Sequence, residues 1–480
     1  MVPEPSGGAA LKSGESLAAD EGLLNEPGEI EPVQDKVSLF RIGHGFRLKN
    51  AVIYIVSNGL QRGATVIVAP LLFARLSVAE YGEYALLLTI YTLGPALISL
   101  GLYGATGRFY FDAKDDADRH RITSALVIAH AVTVLLVTGV IDLVLNASVT
   151  KIADIPYLYF RLILWAAAAS ALYEGAATYW RAAERPLAVA VAGIASVCAT
   201  TGGMAFLLFF TSLRLEGVLI GLGVGQGVVS LTMLALVLRE TGVSWNFPLL
   251  KAALAFSLPL IPHFLSGWLL RAADRWILDI YHNDAEVGAY FLAMQLASLI
   301  SLVMFSTNDA IGPRLMARFR DDGKAGAQAF HERVFPLYLL TSAGLAAGAI
   351  LVGPAAVAIV SHGKITHISL LMSLLACGFV ASTLYVPFSN AFFALKTTRR
   401  LFMLTASSAL LSLGLNLLLI PSLGAIGAAC SLLIAYAVLL ALAMFFAHRG
   451  LGLRTFVPSI VGAGAALGVL TWAAQAFIYR

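Results

Sequence analysis

Apolar runs of 20 or more residues follow one another from residue 50 to residue 478, broken only by short clusters of charged and turn residues. A helix of that length crosses a bilayer core of roughly 30 Å. Read this way, the spans fall at about 50–75, 83–107, 122–148, 157–181, 187–211, 217–238, 253–281, 287–310, 334–360, 368–394, 401–420, 425–447 and 456–478. The pattern predicts an all-α polytopic membrane protein of about thirteen spans with essentially no soluble domain.

The chain starts differently. Residues 1–36 set Glu4, Glu15, Asp20, Glu21, Glu26, Glu29, Glu31 and Asp35 against Lys12 and Lys36, with Gly, Pro and Ser between. Such a segment buries too little apolar surface to fold alone, and we expect a disordered acidic cytoplasmic tail. It lacks the basic start and apolar stretch of a signal peptide. Residues 37–49 alternate apolar and basic positions, as an amphipathic segment lying along the membrane surface does.

Composition agrees with the spans. Of 480 residues, 59% are hydrophobic and only 12% charged, about half the charge of a soluble domain. Cys198, Cys377 and Cys430 sit singly in apolar runs, with no spacing for a metal or a disulfide framework. Neither a metal nor a cofactor is expected.

The basic residues set a direction. With the N-terminus in the cytoplasm, the inner connections carry Arg108, Lys114, Arg119 and Arg121; Arg181 and Arg185; Arg239 and Lys251; Arg314, Arg318, Arg320, Lys324 and Arg333; Lys396, Arg399 and Arg400; Arg449 and Arg454. The outer ones carry only Lys151, Arg214, Lys364 and Arg480. That bias sets orientation, and one missed span would scramble it. The net charge of +4 is dispersed over these connections, so it reports topology and gives no case for nucleic-acid binding.

An internal repeat emerges at an offset of 206 residues. Ala79-Glu80-x-Gly82-x-Tyr84 matches Ala285-Glu286-x-Gly288-x-Tyr290, Arg108 matches Arg314, and Asp115-Asp116 matches Asp321-Asp322. Six spans per copy is an even number, so both copies face the same way. The expected result is an N-terminal lobe (50–240), a C-terminal lobe (250–450) related to it by an axis along the membrane normal, and an additional helix at 456–478.

The motifs then point to a family. Arg75-Leu-Ser-Val-Ala-Glu-Tyr-Gly-Glu-Tyr84, Phe256-Ser-Leu-Pro-Leu-Ile-Pro262, Asp274-Arg275-Trp-Ile-Leu278, Val287-Gly-Ala-Tyr290 and Asn416-Leu-Leu-Leu-Ile-Pro421-Ser-Leu-Gly424 recur in order. In these the chain resembles the polysaccharide-export (Wzx-type) flippases of the multidrug/oligosaccharidyl-lipid/polysaccharide exporter superfamily. The resemblance implies a V-shaped, two-lobed transporter of the bacterial cytoplasmic membrane. It would move an undecaprenyl-pyrophosphate-linked glycan by alternating access, with a polysaccharide polymerase or glycosyltransferases as partners. The family's common core has twelve spans, so the thirteenth is a departure.

Ionisable residues inside spans are costly, and they line cavities or pair with one another. The substrate-cavity candidates are Asn58, Gln61 and Arg62 in span 1, and Trp268, Arg271 and Arg275 in span 7. Arg271, Asp274, Arg275 and Asp279 share one helical stripe. Asp274 and Asp279 are candidate gating charges, or else partners in neutralised intrahelical pairs. Pro259 and Pro262 remove backbone donors just before that stripe and should bend the helix. Glu174 is a candidate for ion coupling, and equally for a hydrogen-bonded interhelical carboxyl.

Rival readings stay open. A drug or cation antiporter of the same superfamily would share fold and repeat, with Glu174 and Asp142 as its carboxylates. A membrane polymerase or ligase would need a long outer loop with catalytic residues, and every outer connection here is short. The Gly221–Gly227 run reads as helix contact and not as a nucleotide loop. His130 reads as a hydrogen-bonded interior residue.

Overall fold

The structure, a computed structural model, describes Gly63 and residues 66–148, 151–152, 155–395 and 397–478. The acidic tail, the interfacial segment and most of span 1 lie outside the described residues, as do Asn58, Gln61 and Arg62. What is described is helical, apart from turns and a hairpin of two-residue strands, Lys151–Ile152 with Ile155–Pro156.

The helices are α1 (66–73), α2 (Val78–Ile98), α3 (Leu102–Phe109), α4 (Asp116–Ser148), α5 (Tyr157–Ala182), α6 (Pro186–Phe210) and α7 (Arg214–Thr241). There follow α8 (Phe247–Ser257), α9 (Ile261–Tyr281), α10 (Asp284–Ala297), α11 (Leu299–Val360), α12 (Ser369–Ala394), α13 (Thr398–Leu451) and α14 (Val457–Phe477).

Among the described residues, eight stretches are long and apolar enough to cross a membrane. Two of them are too long for one crossing. Asp284–Val360 runs for 77 residues, about 115 Å at the helical rise and nearly four bilayer cores. Arg399–Leu451 runs for 53. Each is broken by a glycine at positive φ, Gly323 (65°) in α11 and Gly424 (54°) in α13. Dividing both gives ten crossings. Val78–Ile98 with Leu102–Asp112, bent by 50°, makes an eleventh. Helix α5 falls short on apolarity, yet sixteen of its 26 residues are buried against its neighbours, and it makes the twelfth. Spans 2 to 13 of the sequence are thereby accounted for.

Two packing groups emerge. Helices α2 to α7 pack on one another, as do α9 to α13, with α14 laid against α11 and α12 at the edge of the second group. Within the first, the glycines of α6 and α7 let backbones touch: Gly221 lies directly on Gly203, and Gly225 on Ala199.

The two groups meet where the repeat is strongest. Ser77 caps α2 and Asn283 caps α10, positions 206 apart, each side chain accepting from the backbone N–H three residues on. A Cβ at Gly82 would fall well inside 3 Å of the Asp284 carbonyl oxygen, and one at Gly288 inside 3 Å of Val78's. Residue 78 plus 206 is 284, and 82 plus 206 is 288. The α2–α10 crossing is therefore self-complementary, each helix offering its glycine to its counterpart's first turn, as a two-fold axis requires. The halves are related in parallel, and the repeat block is the contact surface on that axis.

Further bonds join the two groups. Lys364 Nζ, on the α11–α12 connection, donates to the Phe73 and Leu76 carbonyls at 2.6 and 2.7 Å, where the end of α1 leaves acceptors free of helical partners. Trp268 Nε1 donates to the Thr89 carbonyl (2.9 Å), Trp276 Nε1 to Thr89 Oγ1 (2.7 Å), and Tyr81 O–H to Gln295 (3.3 Å).

Within each lobe the repeated glutamate braces the same connection. Glu80 takes two hydrogen bonds from Arg214 at 2.6 and 2.5 Å, at the start of α7. Glu286 accepts from the Ala425 N–H (2.7 Å), just past the break in α13. The Arg214 guanidinium holds the Glu80 carboxyl at about 2, against an ordinary 4.5. A depressed carboxylate contributes stability above its unfolded pKa and loses it as pH falls through the folded value. The melting temperature of the purified protein should therefore drop between about pH 4.5 and 2 more steeply than that of Glu80→Gln. Half of Arg214 is solvated, so the difference should shrink in high salt.

Candidate functional site

The site is organised by the 3-10 turn ahead of α9. Helix α8 packs on α3 and α4 of the first group, whereas α9 packs on α13 and α2. Between them Leu258–Leu260 forms one 3-10 turn, with Pro259 inside it and Pro262 in the first turn of α9. Neither proline can donate a backbone hydrogen bond, so the helix yields there. The turn hands the chain from one lobe to the other.

Beyond the turn, α9 forms a wall of a cavity of about 640 Å³ between the lobes. Helices α2, α3, α5 and α10 complete it. Trp268, Ala272 and Arg275 line it from α9, Tyr91 and Pro95 from α2, Ser170 and Glu174 from α5, and Phe291 and Gln295 from α10. Arg275 is 8% exposed. Its guanidinium lies 4.5 Å over the Phe291 ring, and Nη1 reaches the Ala85 carbonyl at 3.5 Å.

The charged stripe of α9 divides by direction. Arg275 and Trp268 reach the cavity. Asp274, 5% exposed, turns instead to α10, where it accepts the Tyr290 O–H at 2.5 Å and the Arg275 backbone N–H at 2.9 Å. Asp279 lies half-buried near the end of α9, and Arg271 occupies the same helix. Asp274 thus serves the α9–α10 contact and does not border the cavity.

Glu174 borders the central cavity and also a smaller compartment of about 260 Å³ inside the first lobe, with Tyr91, Ser170, Ser196 and Gln226. Its carboxylate pairs with Arg181 at 2.8 Å. The other intramembrane carboxylate of that lobe, Asp142, accepts from Tyr157 O–H (2.9 Å), Arg161 Nε (3.1 Å) and Trp165 Nε1 (3.2 Å). His130 is buried and hydrogen-bonds the Ala171 carbonyl at 2.9 Å. Among the described residues no three His, Cys, Asp or Glu side chains gather as a metal site would require.

Sequence reading missed the uncharged half of the site. Tyr91, Tyr103, Phe264, Phe291 and Gln295 carry no signal in a chain rich in aromatics, and only α2 and α10 crossing at their glycines brings three of them together.

Known structures share this fold. A lipid II flippase, MurJ, in an inward closed conformation aligns with a TM-score of 0.69 at 12% identity, over 87% of this chain and 92% of that one. A multidrug resistance MATE family transporter of the MOP superfamily, inward-facing, aligns at 0.66 with 13% identity, over 84% and 98%. A MOP superfamily transporter from Pyrococcus furiosus aligns at 0.58 with 13% identity, over 84% and 96%. At such identities the likeness is one of fold. The sequence finds no match among curated proteins. Residues 47–318, more than half of its length, match the polysaccharide biosynthesis protein family, and the chain belongs to that family.

Proposed function

We propose that the protein is a transporter that carries a lipid-linked saccharide, an undecaprenyl-pyrophosphate-linked glycan, across the bacterial cytoplasmic membrane by alternating access. The observation that carries this reading is the cavity of about 640 Å³ between the lobes, with a cation, Arg275, in its wall. An anionic head group entering the membrane interior needs opposite charge and a polar path, because isolated charge there is costly. The bias of basic residues favours an outward placement of the sealed α2–α10 end, which would leave loading of the cargo to the cytoplasmic side. Arg62 and Arg271, on spans 1 and 7, are the further candidates to meet the pyrophosphate.

The rival is drug or cation antiport, and Glu174 at the cavity wall is what favours it. In this state its charge is answered by Arg181, and Asp142 is held by three donors, so neither is poised as an open cation site. The test is reconstitution of the full chain in lipid vesicles. Undecaprenyl-pyrophosphate carrying a fluorescent glycan should cross and become accessible to an added glycosidase. Ethidium efflux driven by a proton or sodium gradient, with no movement of the lipid, would overturn the reading.

A further inference from the structure

We propose that a second compartment, inside the C-terminal lobe, is a subsite for one uncharged sugar ring of the cargo. This rests on the reading of the cargo as a lipid-linked saccharide. The compartment has a volume of about 280 Å³ and lies among α9, α11, α12 and α13. Phe264 lines both it and the central cavity, so the two adjoin across the start of α9.

Its walls combine two chemistries. Phe305, Tyr385 and Tyr436 offer aromatic faces, and Ser266, Ser382 and Thr405 offer hydroxyls. Ser266 and Thr405 already donate to the carbonyls of Pro262 and Leu401 in their own helices, which leaves their oxygens as acceptors. Among its described lining residues none carries a formal charge.

Each part of a lipid-linked saccharide can be set against these walls. A pyrophosphate needs cations, and one, Arg275, lines the adjoining cavity. A polyprenyl chain gains nothing from hydroxyls, whose burial beside hydrocarbon leaves them without partners. The groove between α6 and α7, lined by Trp180, Leu187, Val191, Val228 and Leu236, has the apolar walls that hydrocarbon suits. A pyranose has an apolar C–H face for an aromatic ring and an edge of hydroxyls that donate and accept. Only the sugar uses both sets of groups. The volume sits just below the usual range for small-molecule pockets, which fits a single ring and not an oligosaccharide. Charge and sugar recognition are thereby divided, with Arg275 on one side of Phe264 and the neutral compartment on the other.

The test compares two kinds of lipid on the full chain in lipid nanodiscs. One is undecaprenyl-pyrophosphate; the other is the same lipid bearing one glucose, galactose or N-acetylglucosamine. The wild type should bind at least one glycosylated probe more tightly than the bare lipid. Tyr385→Leu and Phe305→Leu should weaken that probe by about 5- to 30-fold, the worth of one or two lost contacts, and leave the bare lipid unchanged. Thr405→Val, of the same shape, guards against variants that fold poorly. Equal losses for both lipids, no loss for either, or no preference of the wild type for a glycosylated probe would overturn the subsite alone. Binding of neither lipid by a folded wild type would instead remove the lipid-linked cargo, and this inference with it.

Discussion

A valine at Gly288 is expected to force the two lobes apart at their sealed end. The new side chain would occupy space already filled by the Val78 carbonyl oxygen, and backbone in a helix cannot swing aside as a side chain can. Overpacking against side chains costs about 1–3 kcal/mol, and against a carbonyl the upper end applies. That is a shift of up to about 150-fold in the balance between sealed and open states. Gly82→Val should act the same way on Asp284, because the crossing is self-complementary. Spin labels at the exposed Ser212 and Thr366, one on each lobe's connections at this end, would report the separation. Gly462→Val in α14, where a Cβ meets open space, is the control. Unchanged distances in both crossing variants, with folding intact, would show that the glycines do not hold the seal.

Asp274→Ala is expected to lose about 1–3 kcal/mol of stability, because it removes a buried, hydrogen-bonded carboxylate from the α9–α10 contact. It also deprives the Tyr290 O–H of its acceptor. Adding Arg275→Met removes the buried cation beside the lost carboxylate at nearly the same volume, and part of the loss should return. Translocation should not return with it. A cation that meets the cargo contributes about 1.5–3 kcal/mol through charge-assisted hydrogen bonds, so Arg275→Met alone should slow transport by about 10- to 150-fold. The double variant therefore separates the two roles: melting in detergent reads one, flux into vesicles the other. Should transport recover together with stability, Arg275 is a packing residue and the cargo meets its charge elsewhere.

Much of the fold was legible because its cause is local. Lipid demands long apolar helices, and their lengths mark the spans whatever their neighbours do. Helix α5 tests this rule. Its tyrosines, Trp180 and Glu174 dilute its apolarity, yet its spacing in the series placed it correctly, and burial among α2, α3, α4 and α7 explains why lipid does not forbid its composition. The two longest helices show the opposite limit, since Gly323 and Gly424 break the direction of the chain while barely interrupting its helicity.

The site was legible only in part. Trp268 and Arg275 border the cavity, and so does Glu174; Asp274, on the same stripe, faces the other way. Spacing fixes which residues share a face of α9. It does not say which neighbour that face meets, and a rotation of about 100°, the step from Asp274 to Arg275, exchanges α10 for the cavity.

The amino-acid sequence by itself determined the series of spans, the repeated halves and the family motifs. Each of these follows from short stretches of chain and the solvent around them. Tertiary structure alone decided that the repeat block is the axis on which the lobes cross, that Lys364 reaches back to the end of α1, and that a neutral aromatic compartment adjoins the charged cavity. Those features depend on how each helix is rotated against partners up to about 290 residues away, and that rotation is set by packing, which no local pattern encodes.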